Sequence, residues 1–260
     1  MRAFTSSLMV DIIVFLLANL SVSQGFTPVS TSIIVSSGPT TSRAVSLSAL
    51  PLPITTDTLG VLGGFSLLTS YHILLYRKEQ AGKRTWRSAQ ADTREQWAKY
   101  VRSNQQWLYA IQTLRNAITA QTFLATTVLS LLTVISGRLW DMIRSIPTHT
   151  VSRRISVAQF TLVAASMLAS GYQFLQSARL MTHAGFMFPV SANTTRVDRI
   201  MRKSQNSQWA GLRCLYLSAG FLAWIVGGPN VFFMAAGFLT AFFRKIDRVP
   251  EEIKDDPSAL

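Results

Sequence analysis

Gln112, Arg115, Asn116 and Thr119 recur at i, i+3, i+4 and i+7, which puts two amides, a guanidinium and a hydroxyl on one face of a helix. The residues around them, 108–135, are otherwise mostly apolar. A run of that length reads as membrane-spanning, because about 20 predominantly apolar residues cross the hydrocarbon core. An arginine there costs roughly 3 kcal/mol or more at mid-bilayer, so it faces protein or water and is a candidate for function. Gln176, Arg179 and His183 recur at i, i+3 and i+7 in another apolar run, and Arg213, Tyr216 and Gly220 do so in a third. Tyr71 and His72 fall in the last turns of a further one. No Asp or Glu lies within these polar half-spans. Buried charge must be paired, so an anion that comes to the arginines is one solution. Arginine grips phosphate bidentately, and basic pockets between membrane helices bind lipid head groups. Arg115, Asn116, Gln112, His72, Arg179 and Arg213 are therefore the candidate set for an anionic lipid or small anion. The competing reading is that the amides join helices by hydrogen bonds while arginines near helix ends reach for the surface.

Four apolar stretches must position these groups: 57–76, 108–135, 157–183 and 212–243. The whole chain of 260 residues is 48% hydrophobic and only 14% charged, with a mean hydropathy of +0.26, too apolar for an ordinary soluble domain. The pattern predicts an all-α integral membrane bundle of four transmembrane helices. The fourth stretch would be about 48 Å long as one helix, against the roughly 30 Å that a bilayer core needs. It contains Gly227-Gly228-Pro229, and an interior proline kinks a helix. A single long helix kinked there is expected, with a pair of half-spans as the less favoured alternative. Trp107, Trp140 and Trp209 fall at the edges of the stretches, where indoles prefer the membrane interface. Gly60, Gly63 and Gly64 permit close helix packing.

The net charge is +13, and its distribution sets an orientation. The first connection carries Arg77, Lys78, Lys83, Arg84, Arg87, Arg94, Lys99 and Arg102, and the third Arg196, Arg199, Arg202 and Lys203. The positive-inside rule places both on the stromal or cytosolic face, with both termini opposite. Arg138, Arg144, Arg153 and Arg154 in the second connection, and Arg244, Lys245 and Arg248 after the fourth stretch, weaken that contrast. Trp86 and Trp97 sit in a basic, helix-compatible part of the first connection, which reads either as an interfacial helix or as a solvated connector.

The residues before 57 read as an address. Arg2, an apolar core over 8–20 and Ser23-Gln24-Gly25 have the form of a signal peptide, 1–25. Residues 26–56 are rich in Ser and Thr, contain Arg43 and hold no acid, the composition of a transit peptide or a disordered linker. With Phe26-Thr27-Pro28 after the cleavage site, the two together resemble the bipartite presequence of algae whose plastid lies within the endomembrane system, so a plastid membrane is expected. The membrane domain is assigned to 57–247 and a disordered acidic tail to 248–260.

No carboxylate pair, nucleophile triad, metal cluster or phosphate-cradling glycine loop accompanies the spans. An enzyme, a resident cofactor and a metal are thus not expected. A haem between His72 and His183, which lie at similar depth on different spans, is outweighed by their reading as interfacial polar residues. No basic face with stacking aromatics points to nucleic acid, and the lone Cys214 is read as a small apolar helix residue. The expected partners are membrane lipids and further copies of the chain in a homo-oligomer. The rival function is a small-anion or metabolite transporter or channel subunit acting as an oligomer, which draws on the broken fourth helix and on Arg115.

Tyr71-His72, the run Gln112-Thr113-Leu114-Arg115-Asn116, Ala125-Thr126-Thr127, Gly211-Leu212-Arg213-Cys214-Leu215-Tyr216 and Trp224-Ile225-Val226-Gly227-Gly228-Pro229 together resemble the membrane family called domain of unknown function 599. The resemblance spans about 57–247, with the Gln-Thr-Leu-Arg-Asn run as its most specific part. It departs at the extra glycine of Gly227-Gly228 and around Ala184-Gly185. It implies a multi-pass helical membrane protein and brings no activity with it.

Overall fold

The computed structural model describes residues 56–147, 150–189 and 194–249. The presequence and nearly all of the acidic tail lie outside the described residues. Five helices follow one another: α1 (Thr56–Gln80), α2 (Trp86–Ser103), α3 (Trp107–Ser145), α4 (Val151–Met187) and α5 (Thr194–Ile246). All but α2 are long and apolar enough to cross a membrane.

Helix α2 is the helix-compatible part of the first connection. Thr85 caps it by accepting from the Ser88 amide while the Ser88 hydroxyl accepts from the Thr85 amide, which satisfies two otherwise orphaned donors. Its apolar side, Ala89, Ala98 and Val101, is fully buried. It is therefore not a loose connector, since it packs on the first half of α5 and touches the start of α3.

The fourth apolar stretch departs from expectation most. Arg213 is ion-paired with Asp247, 34 residues further on, a separation of about 51 Å in a continuous helix. The rings of Trp224 and Phe232 lie 5.1 Å apart, and those of Tyr216 and Phe242 5.2 Å. Helix α5 thus folds back on itself, an arm 194–227 running out and an arm 229–246 returning alongside it. The reversal is made at Gly228, with φ 76° and ψ −171°, a region that essentially only glycine occupies. Pro229 then starts the returning arm, where its missing N–H costs nothing. Two antiparallel arms joined at a tight reversal, and not the single kinked span, are what this sequence builds.

Helices α3 and α4 are antiparallel, with Leu129 against Gly171 and Leu114 near Gly185. Helix α4 and the outgoing arm are antiparallel too, since the Ser170 hydroxyl donates to the Gly211 carbonyl at 2.8 Å and Ser177 to that of Ser204 at 3.0 Å. Helix α1 runs parallel to the returning arm. A methyl group at Gly64 would lie 2.5 Å from the Phe232 ring, so the close packing expected of these glycines is present.

Two apolar cores result, stacked along the bundle. One gathers Phe65, Leu68, Phe174, Phe221, Trp224, Phe232 and Phe243, toward the Gly228 turn. The other joins α2 to the neighbouring ends of α3, α4 and α5 through Val101, Leu114, Met181, Phe188 and Met201. The α2-bearing end is called the cap end below. Large apolar side chains point outward from every long helix, among them Leu62, Phe123, Phe186, Val226 and Phe238, the surface that a lipid environment requires.

Candidate functional site: a polar junction and an outer arginine face

The six candidate residues do not converge. Arg213 turns inward and is 1% exposed. Its Nη2 donates to Oδ1 of Asp247, while the Tyr71 hydroxyl donates to Oδ2 of the same carboxylate. One acid thereby fastens α1, the outgoing arm and the returning arm together. His72 sits beside this group, its ring 5.7 Å from that of Phe243, and its Nδ1 lies 2.7 Å from the Leu68 carbonyl. Since a carbonyl only accepts, that contact requires a proton on Nδ1. Gln112, Arg115, Asn116 and Arg179 are exposed on the outside of α3 and α4. Neither Arg115 nor Arg179 meets a carboxylate among the described residues.

The premise that no acid neutralises Arg213 is corrected by Asp247. It lies just past the fourth apolar stretch, and only the reversal at Gly228 brings it back to Arg213. Trp209 holds two cations at the junction: the guanidinium groups of Arg213 and Arg87 both lie over its ring, 4.7 Å and 5.0 Å from the centroid. A desolvated cation over an indole is worth up to about 2 kcal/mol. Arg213 also lies 4.1 Å from the Phe243 centroid.

Arg87 pairs with Glu79 at the end of α1, whose carboxylate also accepts from the Thr85 hydroxyl at 2.8 Å. Arg94 donates to the Gln208 side chain at 2.5 Å, and Gln205 to that of Gln90 at 2.8 Å. These polar groups form a belt where the two apolar cores meet. Higher in the cap, Arg102 pairs with Asp198 at 2.6 Å, and Arg202 with Asp92 and with Glu95, the latter at 2.9 Å. Burial raises the Glu95 carboxyl, but the hydrogen bonds from Lys99 and Arg202 outweigh it and hold the group below its ordinary range. Glu79, Glu95 and Asp198 thus pair with Arg87, Lys99 and Arg102 of the first connection, and Asp92 and Glu95 with Arg202 of the third. Those acids were visible in the sequence, and what it did not show was which cation each would meet.

The two histidines weighed for haem are not brought together. His183 is exposed, one residue before Ala184 of the cap core, whereas His72 belongs to the junction. Among the described residues no group of three or more His, Cys, Asp or Glu could hold a metal ion. The backbone break invoked for a transporter lies at the far end of the bundle, where Pro229 meets Gly60 near the start of α1, and not at mid-depth.

Long apolar helices with outward apolar faces, held together by an internal ion pair, define a multi-pass helical membrane protein. The chain belongs to the family described as protein of unknown function, DUF599, which it matches over residues 59–251. No curated protein and no solved structure matches it.

Proposed function

We propose that this protein is a non-enzymatic membrane protein that binds the head group of an anionic lipid on the outer face of α3 and α4, near the cap end. The observation that carries the reading is the isolation of Arg115 and Arg179, two exposed guanidinium groups without a carboxylate in an otherwise apolar surround. Gln112 and Asn116 flank Arg115 as further hydrogen-bond donors. Leu108, Ile111, Phe123, Leu175 and Phe186 are exposed around them and offer acyl chains an apolar bed. Arg213 and His72 drop out of the set, because Asp247 already answers Arg213 and His72 lies in the same interior group.

The cap end faces the stroma or cytosol in this reading. Arg244, Lys245 and Arg248 follow the returning arm back to that end, where they join the cations of the first and third connections. Among the described residues, only the cations Arg138, Arg144, Arg153 and Arg154 stand at the other, so the positive-inside bias is sharper than four spans allowed. The acid-free segment 26–56 supports a plastid membrane as the site of residence. Fusing residues 1–56 to a fluorescent protein tests this, and a secreted or reticular signal would refute it.

Lipid binding is tested by native mass spectrometry of the protein reconstituted with phosphatidylglycerol and phosphatidylcholine. At about 1 kcal/mol per arginine, roughly a five-fold loss of bound phosphatidylglycerol is expected for Arg115→Ala and again for Arg179→Ala. An unchanged lipid ratio in the double variant would overturn the reading.

A further inference from the structure

The junction of α1 with the two arms of α5 holds two polar atoms that its hydrogen bonds do not use. Nη1 of Arg213 and Nε2 of His72 are both buried, and neither has a hydrogen-bond partner among the described residues. They belong to groups packed on one ring. The Arg213 guanidinium lies 4.1 Å from the Phe243 centroid, and the His72 imidazole 5.7 Å from it. A buried polar atom left unsatisfied carries its full desolvation cost, so each calls for an explanation. The two differ in kind, because a guanidinium nitrogen only donates. His72 carries its proton on Nδ1, 2.7 Å from the Leu68 carbonyl, which leaves Nε2 a bare lone pair. The junction therefore encloses a base with nothing to accept from. Ionisable groups of this kind inside a membrane domain mark proton and ion sites.

We propose that the junction binds a proton at Nε2 of His72, and that this proton loosens α1 from the two arms of α5. Charge decides the consequence. Helix α1 packs chiefly on α5, so the groups around His72 come from the three segments that meet here. From α1 comes Tyr71, its ring 5.4 Å from that of His72. The outgoing arm brings Arg213 and Tyr216, whose ring lies 6.1 Å from that of Phe243. The returning arm brings Asp247, with Arg244 exposed to one side of Phe243. Toward the cap, Glu79 and Arg87 neutralise each other. With His72 neutral, the buried set holds one cation, Arg213, against one anion, Asp247, and it balances. A proton taken from solvent onto Nε2 breaks no covalent bond and leaves an imidazolium, a second cation beside the same carboxylate. Both oxygens of that carboxylate are already engaged, Oδ1 by Arg213 and Oδ2 by Tyr71. A buried charge must be paired. The imidazolium therefore displaces one of these donors or draws the junction open to water, and either outcome undoes a bond that fastens the segments together.

The chain has three histidines, His72, His149 and His183. In the full chain carrying His149→Gln and His183→Gln, labelled with nitrogen-15 histidine and reconstituted in nanodiscs, nuclear magnetic resonance then reads His72 alone with its junction intact. A proton on Nδ1 and a bare Nε2 are expected at about pH 8, with Nε2 gaining its proton as the pH is lowered toward about 4. Spin labels on Tyr76→Cys and Lys245→Cys, both exposed positions, in a Cys214→Ser chain measure the separation of α1 from the returning arm. The share of molecules at a longer separation should rise about five-fold or more over the same interval, reversibly. His72→Asn keeps a donor for the Leu68 carbonyl but has no second ring nitrogen, and should abolish that rise. An imidazole protonated on Nε2 from the start, or one that stays neutral at every pH at which the chain is folded, would overturn the proposal. So would titration of His72 without any change in separation. A rise that persists in His72→Asn would assign the proton to Asp247 and overturn it too. None of these readouts involves Arg115, Arg179 or lipid, so a failure of head-group binding is read separately.

Discussion

Arg213 and Arg115 are both arginines in apolar helices, yet they have opposite situations. Arg213 is enclosed by Asp247, Trp209 and Phe243, and Asp247 is shared with Tyr71. Arg115 looks outward with amides for neighbours. Sequence alone gives the two the same cost in a bilayer, and the fold resolves them differently. The inner charge holds segments together through Nη2, while its Nη1 is buried without a hydrogen-bond partner. The outer one holds nothing together within the chain and is available to something else. In this molecule, then, the more deeply placed arginine is tied into the fold by an ion pair, and the outer one is not.

The largest effect should come from breaking the inner pair. Arg213→Ala leaves a buried carboxylate without its partner and is expected to destabilise the protein by about 3–5 kcal/mol, measured by thermal or denaturant unfolding in a fixed detergent. Arg115→Ala, measured alongside, should lie within about 0.5 kcal/mol of the native chain. Equal losses from the two would erase the contrast. Replacing both partners, as in Arg213→Met with Asp247→Leu, should recover much of the loss, because no lone charge then remains buried.

Next in size is Gly228→Ala, which forces a side chain into the backbone region at the turn and should cost about 1–3 kcal/mol. Accessibility labelling of a cysteine at Arg248 sharpens the reading, since that residue must share a face with the first connection. Labelling from the opposite face would mean that the returning arm does not return. Trp209→Leu removes the ring shared by Arg87 and Arg213 and should cost about 1–2 kcal/mol, with faster hydrogen exchange in α2 than in α4. The smallest effect concerns pH. The Glu95 carboxyl sits below its ordinary range, so its contribution is present above the unfolded pKa and is lost as pH falls through the lowered one. Because the pair is partly solvated, less than about 1 kcal/mol is at stake. Exchange in α2 should rise on acidification in the native chain and be insensitive to it in Glu95→Gln.

The helical class and the positions of the long helices were legible, because long apolar runs have one stable form in a bilayer. So were the faces on which Gln112, Arg115 and Asn116 would lie. The reversal of α5 was half legible: a stretch about 48 Å long, with Gly227-Gly228-Pro229 inside it, could not be one straight span. Kink and turn differ only in the dihedrals of Gly228, which no periodicity reports. Everything that depended on the turn was hidden with it, above all the meeting of Arg213 with Asp247. The cap was hidden for another reason. Its helix is short and polar, and its stability comes from ion pairs such as Arg102 with Asp198, whose partners are far apart along the chain.

The 34 residues between Arg213 and Asp247 also measure time. At a synthesis rate of roughly 5–20 residues per second, Arg213 waits about 2–7 s for its acid. During that interval the outgoing arm carries a lone cation that the membrane disfavours, and any chain that stalls before Asp247 keeps it. Completion of the returning arm is therefore a checkpoint written into the order of residues, at which an unfinished chain differs from a finished one by a single uncompensated charge.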